Sequence, residues 1–117
     1  MKVRNLLAKG IVLGATVATL TGIATSYAWA DDAAKRIYDD TCAACHGPSG
    51  KGDGPAGKAL TPAPPDLSAS LKGKDDAYIK KIIKEGGEAV GKSPTMPPNS
   101  DLTDDQIKSL VDYIKHL

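Results

Sequence analysis

Residues 31–117 contain no phenylalanine and no tryptophan, and their aromatic side chains are Tyr38, Tyr78 and Tyr113 alone. A domain of this size buries little apolar surface and is marginally stable without a staple or a bound group. Two cysteines, Cys42 and Cys45, cannot build a disulfide framework. A large planar apolar group at the centre is therefore expected to take the place of the missing interior.

The first thirty residues are set apart by their charge. Lys2, Arg4 and Lys9 are basic, no acid precedes Asp31, and the stretch from Gly10 to Ala30 is uncharged. Its apolar part runs through Ile11, Val12, Leu13, Val17 and Leu20, and it closes on Ala28-Trp29-Ala30. Basic, then apolar, then small residues at minus three and minus one is the layout of a secretory signal peptide. Cleavage after Ala30 leaves 87 residues (31–117) and a periplasmic protein. If the segment is retained, it is long enough to anchor the chain, since about 20 residues span a bilayer. Without it the balance is 12 basic against 14 acidic residues, or −2, which excludes the basic footprint of a nucleic-acid binder.

The exported part reads as all-α. Asp32 to about Ala44 is expected to be a helix, with acids at its start and an apolar stripe of Ala33, Ala34, Ile37 and Tyr38. From Gly47 to about Gly73, six glycines and five prolines interrupt every period, so regular structure is not expected. A loop that long in so small a domain is expected to wrap something. Asp75 to Glu85 carries Tyr78, Ile79, Ile82 and Ile83 at helical spacing and stops at Gly86-Gly87. Ser93–Ser100 is a second, proline-stiffened loop. Thr103 and Gln106 then form a capping box, Leu102 and Ile107 a staple, and Ile107, Leu110, Val111, Ile114 and Leu117 one apolar face.

Cys42-Ala43-Ala44-Cys45-His46 is the C-x-x-C-H haem attachment pattern. Two thiols about one helical turn apart can each form a thioether with one of two vinyl groups on the same haem edge. The histidine that follows then becomes the proximal iron ligand. A thioredoxin-like pair needs a βαβ setting that the pattern lacks. Zinc needs about four ligands, and only Cys42, Cys45, His46 and His116 are on offer. A plain disulfide leaves His46 and the thin core unexplained.

Opposite His46 the candidates are Met96 and His116. Met96 sits in Pro94-Thr95-Met96-Pro97-Pro98, where proline restricts the backbone and little entropy remains to be lost on holding a thioether. His116 falls off the apolar stripe of its helix and is expected in solvent. Met96 is the expected sixth ligand. His–Met ligation leaves no vacancy for substrate and raises the potential, which suits an electron carrier and not an enzyme.

With these residues in place the chain resembles the class I c-type cytochromes, specifically the small single-haem bacterial ones, over essentially all of 31–117. The resemblance rests on Cys42-Ala-Ala-Cys-His46-Gly47, Pro65-Asp66-Leu67, Met96-Pro97 and Leu110-Val111-Asp112-Tyr113-Ile114. It implies the cytochrome c fold, three to four short helices and long loops around one covalent haem c. It also implies that the first and last helices cross near the haem, with Tyr38 packed at the junction against Leu110 and Tyr113. Ala34 stands where the family often has glycine. Pro65, or its neighbour Pro64, resembles the proline whose carbonyl accepts the imidazole N–H, and Leu67 would line the pocket.

Gly52-Asp-Gly-Pro-Ala-Gly57-Lys58-Ala59 nearly fits a P-loop, but Ala59 replaces the metal-binding hydroxyl and no strand precedes it. It is expected to be a turn-rich loop over the haem edge, and no nucleotide is expected. The expected partners are a redox donor and acceptor that dock transiently, with Lys51, Lys58 or Lys92 near the haem edge. The alternatives are a subunit held tightly by one oxidase or dehydrogenase, and a haem catalyst or sensor with an open sixth site.

Overall fold

The computed structural model describes residues 24–117, and among these there is no strand. The last helix, α5 (Asp104–Ile114), starts where its capping box predicts. The Gln106 N–H donates to the Thr103 hydroxyl at 3.3 Å, and the Thr103 N–H donates to Gln106 Oε1 at 2.8 Å. Ile107, Leu110 and Val111 are buried along one face, with Leu102 and Ile114 packed against them. The predicted stripe stops short of Leu117, which lies beyond the last helical turn and is exposed.

Helix α4 (Asp76–Glu85) fills the second predicted span. Asp75 caps it by accepting the Tyr78 N–H at 2.8 Å, and Gly86, at φ +86°, ends it. Ile79 and Ile83 enter the core, and Tyr78 and Ile82 lie half-buried beside them. Ion pairs Lys84–Asp104 and Lys115–Asp76 tie α4 to the two ends of α5. In each pair the lysine's hydrogen bond holds the carboxyl below its usual value, but both pairs are solvated and contribute little.

The first helix departs from the continuous run expected over 32–44. Helix α1 spans Ala24–Ile37, a π turn covers Tyr38–Cys42, and a short α2 holds Ala43–His46. The Ala43 N–H bonds back to the Tyr38 carbonyl, one residue further than in an α-helix. Widening a single turn leaves the apolar period almost unchanged, so the sequence pattern does not register it. The expected cleavage point after Ala30 falls inside α1, and residues 1–23 of the expected leader lie outside the described residues.

Helix α1 packs across α5. Ala34 is 1% exposed, so the methyl it carries in place of glycine is fully enclosed. Tyr38 is completely buried, with its ring centroid 5.5 Å from that of Tyr113 and the planes tilted at 55°, a favoured aromatic geometry. Its hydroxyl donates to the Gly47 carbonyl at 2.7 Å. Burial pushes the phenol up to about 12, so it stays a neutral donor. The Gly50 N–H also donates to that carbonyl, at 3.1 Å, so removing the phenol does not orphan it. Tyr38→Phe is therefore expected to cost the net value of one hydrogen bond, about 1 kcal/mol, read as a lower urea midpoint with an unchanged slope. A loss above about 3 kcal/mol would show that the hydroxyl does more than this bond.

Residues 47–73 are not wholly irregular. A 3₁₀ turn covers Gly57–Ala59, and α3 spans Leu67–Ser70. Helix α3 exists because the Asp66 carboxylate accepts both the backbone N–H of Ser68, at 2.8 Å, and its hydroxyl, at 2.7 Å. A capped single turn is too short for apolar periodicity to reveal.

Candidate functional site

The thin core leaves a cavity of about 520 Å³ beside it. Cys42, Cys45, His46, Pro65, Leu67 and Met96 all line this one space. Tyr78, Ile79, Ile82 and Ile83 of α4 form another part of its wall. Four chain segments distant in sequence thus deliver the two thiols, His46, Pro65, Leu67 and Met96 to the same place as the α4 wall. His116 is not among them: it is exposed, its Nδ1 lies 2.6 Å from the Asp112 carbonyl, and it lines a separate depression with Asp31 and Ser109.

The turn carrying Cys42, Cys45 and His46 is held from outside by the glycine-rich loop. The Gly52 N–H donates to the His46 carbonyl at 2.7 Å, and the Ala56 N–H to the Ala44 carbonyl at 2.9 Å. A β-carbon on Gly54 would stand 2.4 Å from the Ala44 oxygen, and one on Gly57 would stand 2.1 Å from the Cys45 oxygen. These glycines are there so that backbone can lie on backbone. This corrects the expectation for residues 52–59: the segment buttresses the turn, and the cavity wall begins at Leu60. Lys51 and Lys58 accordingly lie off the wall, whereas Lys92 is on it.

Cys42 and Cys45 are half-buried free thiols, not a disulfide. Burial pushes the Cys42 thiol up to about 11, which keeps it protonated. Burial also lowers the affinity of His46 for a proton, so the imidazole is favoured neutral, the form in which it binds metal. Its Nδ1 is buried and has no hydrogen-bond partner among the described residues. Pro65 lines the same cavity, but the carbonyl bond to the imidazole that the resemblance implies is not formed. Nearby, the Pro64 oxygen instead closes on Gly52, where a β-carbon would stand 2.0 Å away.

Met96 is held by the end of α4. The Gly87 N–H donates to the Met96 carbonyl at 3.0 Å. Asn99 anchors the far side of the loop, its backbone N–H and its side-chain Nδ2 each donating to the Ile83 carbonyl at 3.0 Å. Both bonds fall on the carbonyl next to the helix stop, where orphan acceptors are expected. Asn99 is a part of the site that the sequence reading missed. Its place just after Pro97-Pro98 is plain in the sequence, but the carbonyl it reaches is not.

The cytochrome c family model matches residues 32–117. The chain belongs to the cytochrome c family. It is 37% identical over 102 residues to cytochrome c-552 of Nitrosomonas europaea, an alignment covering 85% of this chain and 89% of that protein. It is also 39% and 38% identical, over 85 residues each, to the cbb3-type cytochrome c oxidase subunit CcoP of an Azospirillum strain and of Azospirillum brasilense. Those alignments cover 71% of this chain but only 27% of each subunit.

Cytochromes c carry covalent haem c and move electrons, and the described residues fit that group. An apolar cavity of a few hundred Å³ is the size that takes a cofactor. Two unpaired thiols stand on its wall one helical turn apart. The His46 imidazole stands on the same wall, and burial favours its neutral form, the one that binds metal. Cys42, Cys45, His46 and Met96 are the residues that could hold the haem.

Proposed function

We propose that this cytochrome is a single-haem electron carrier working outside the cytoplasmic membrane, with haem bonded through Cys42 and Cys45 and iron held between His46 and Met96. What carries the reading is the convergence of an imidazole, a thioether and two thiols on one apolar cavity. When bound, the haem supplies a one-electron iron couple. His46 and Met96 would hold the iron in both redox states, which would leave no place for a substrate and require no ligand exchange. Pro65 and Leu67, which line the cavity, would shield the macrocycle from water, and this would raise the weight of every charge nearby. Thioether ligation raises the potential relative to two imidazoles. Donor and acceptor are redox proteins that dock briefly.

The first thirty residues support export, with cleavage after Ala30. One experiment tests the whole reading: optical spectra, redox titration and intact mass of protein matured by a haem-attachment system. The expected result is a mass equal to residues 31–117 plus one haem, a sulfur–iron charge-transfer band in the oxidised protein, and a single one-electron wave. A folded, colourless product overturns the haem assignment, and an intact Met1 overturns cleavage.

A second reading, a subunit held by one oxidase, is favoured by the similarity to CcoP. Gel filtration of native extract separates the two. A free carrier elutes as a small protein, and a subunit elutes with its complex.

A further inference from the structure

Lys92 is the one residue on the cavity wall, among the described residues, that carries a permanent charge. The ion pairs among those residues use Lys35, Lys84 and Lys115, and none uses Lys92. It is exposed although it lines the cavity, so it stands at the rim. Its backbone is fixed there: the Lys92 N–H donates to the Gly87 carbonyl at 2.8 Å, and the Gly87 N–H in turn donates to the Met96 carbonyl. The lysine is therefore tied to the foot of the loop that carries Met96. Ser93 and Thr95, whose hydroxyls lie 2.7 Å apart, extend a short polar strip along the same rim.

The macrocycle that fits this cavity is not uniformly apolar. It bears vinyl groups, which take the two thiols, and two carboxylates, which do not tolerate an apolar wall without a partner. A carboxylate losing part of its hydration gains most from a charged donor. The wall offers one such donor.

We propose that Lys92 is the ion-pair partner of a haem carboxylate. This rests on the haem reading given above. The pair neutralises a negative charge close to the iron, and the reduced state, which carries one positive charge fewer, is favoured by that neutralisation. A lysine merely waiting for a docking partner would lack this contact in the isolated protein. Lys58, which lies off the cavity wall, serves as the comparison.

The test uses the haem-loaded protein. In the reduced, diamagnetic state, through-space NMR cross-peaks are expected between the Lys92 side-chain methylene next to nitrogen and the methylene protons beside a haem carboxylate. Redox titration of Lys92→Gln should show the reduction equilibrium weakened about threefold, the size expected of one solvated pair. Lys92→Arg should keep the native value, and Lys58→Gln should leave it unchanged. Absence of the cross-peaks overturns the pairing, and so does a Lys92→Gln protein that titrates like the native one. Protein that folds without haem takes down both this inference and the reading beneath it. Haem-loaded protein without the Lys92 contact takes down this inference alone.

Discussion

Met96→Ala is expected to lower the midpoint potential and to let carbon monoxide bind the ferrous protein. The thioether is a weak donor that favours the reduced iron, and axial ligation as a whole spans roughly 0.8 V. Exchanging it for water should move the potential by about 0.1 V or more within that span. The loop should survive the change, because what holds it is backbone together with the Asn99 side chain. The Gly87 N–H bonds to the carbonyl of residue 96, and both Asn99 donors bond to the Ile83 carbonyl. None of these contacts uses the methionine side chain. The competing ligand makes the control: His116→Ala, at an exposed residue that lines a different depression, should leave both readouts unchanged. A Met96→Ala protein that keeps its potential and still excludes carbon monoxide would remove Met96 from the iron.

What could be read from the sequence was whatever depends on period, spacing or a strong local signal. The capping box at Thr103 and Gln106, the α4 stripe of Ile79 and Ile83, and the attachment pentapeptide are all local patterns, and each stands in the structure as written in the chain. Met96 could be singled out because a lone thioether among prolines makes poor core. The features that were missed have no such signal. The π turn over Tyr38–Cys42 costs the pattern no apolar position, and α3 is one capped turn. The Asn99 anchor depends on where the Ile83 carbonyl ends up after α4 stops. The composition of the glycine-rich loop says only that it turns, which does not decide between covering the cofactor and lying on backbone. Which backbone it lies against is set by tertiary contact, and that contact is the Cys45 turn. The His46 bond implied for Pro65 failed for the same reason: a family pattern places a proline in sequence, not its carbonyl in space.

Gly57→Ala is expected to destabilise the protein by about 3 kcal/mol, the upper part of the range for overpacking, from a total that for small domains is often only 5–15 kcal/mol. Gly57 is buried, and its backbone has no positive φ, so conformational freedom is not what it supplies. It supplies space. An added β-carbon would stand 2.1 Å from the Cys45 oxygen, 2.9 Å from the carbonyl carbon and 3.1 Å from Cα. All three are main-chain atoms, so no side chain can rotate away, and relief requires the loop to lift from the turn. Lifting it would strain the Ala56-to-Ala44 bond and disturb Cys45 and His46 together. Gly73 separates this effect from ordinary glycine strain. It has φ +75° and nothing within 4 Å of an added β-carbon, so Gly73→Ala should cost only about 1–2 kcal/mol from the left-handed backbone. Urea unfolding of the two haem-loaded variants measures both terms, and the fraction of protein recovered with covalent haem reports whether the turn still presents its thiols. Gly57→Ala should rank well below Gly73→Ala on both measures. If the order is reversed, the close contact between this loop and the Cys45 turn is not what shapes the site.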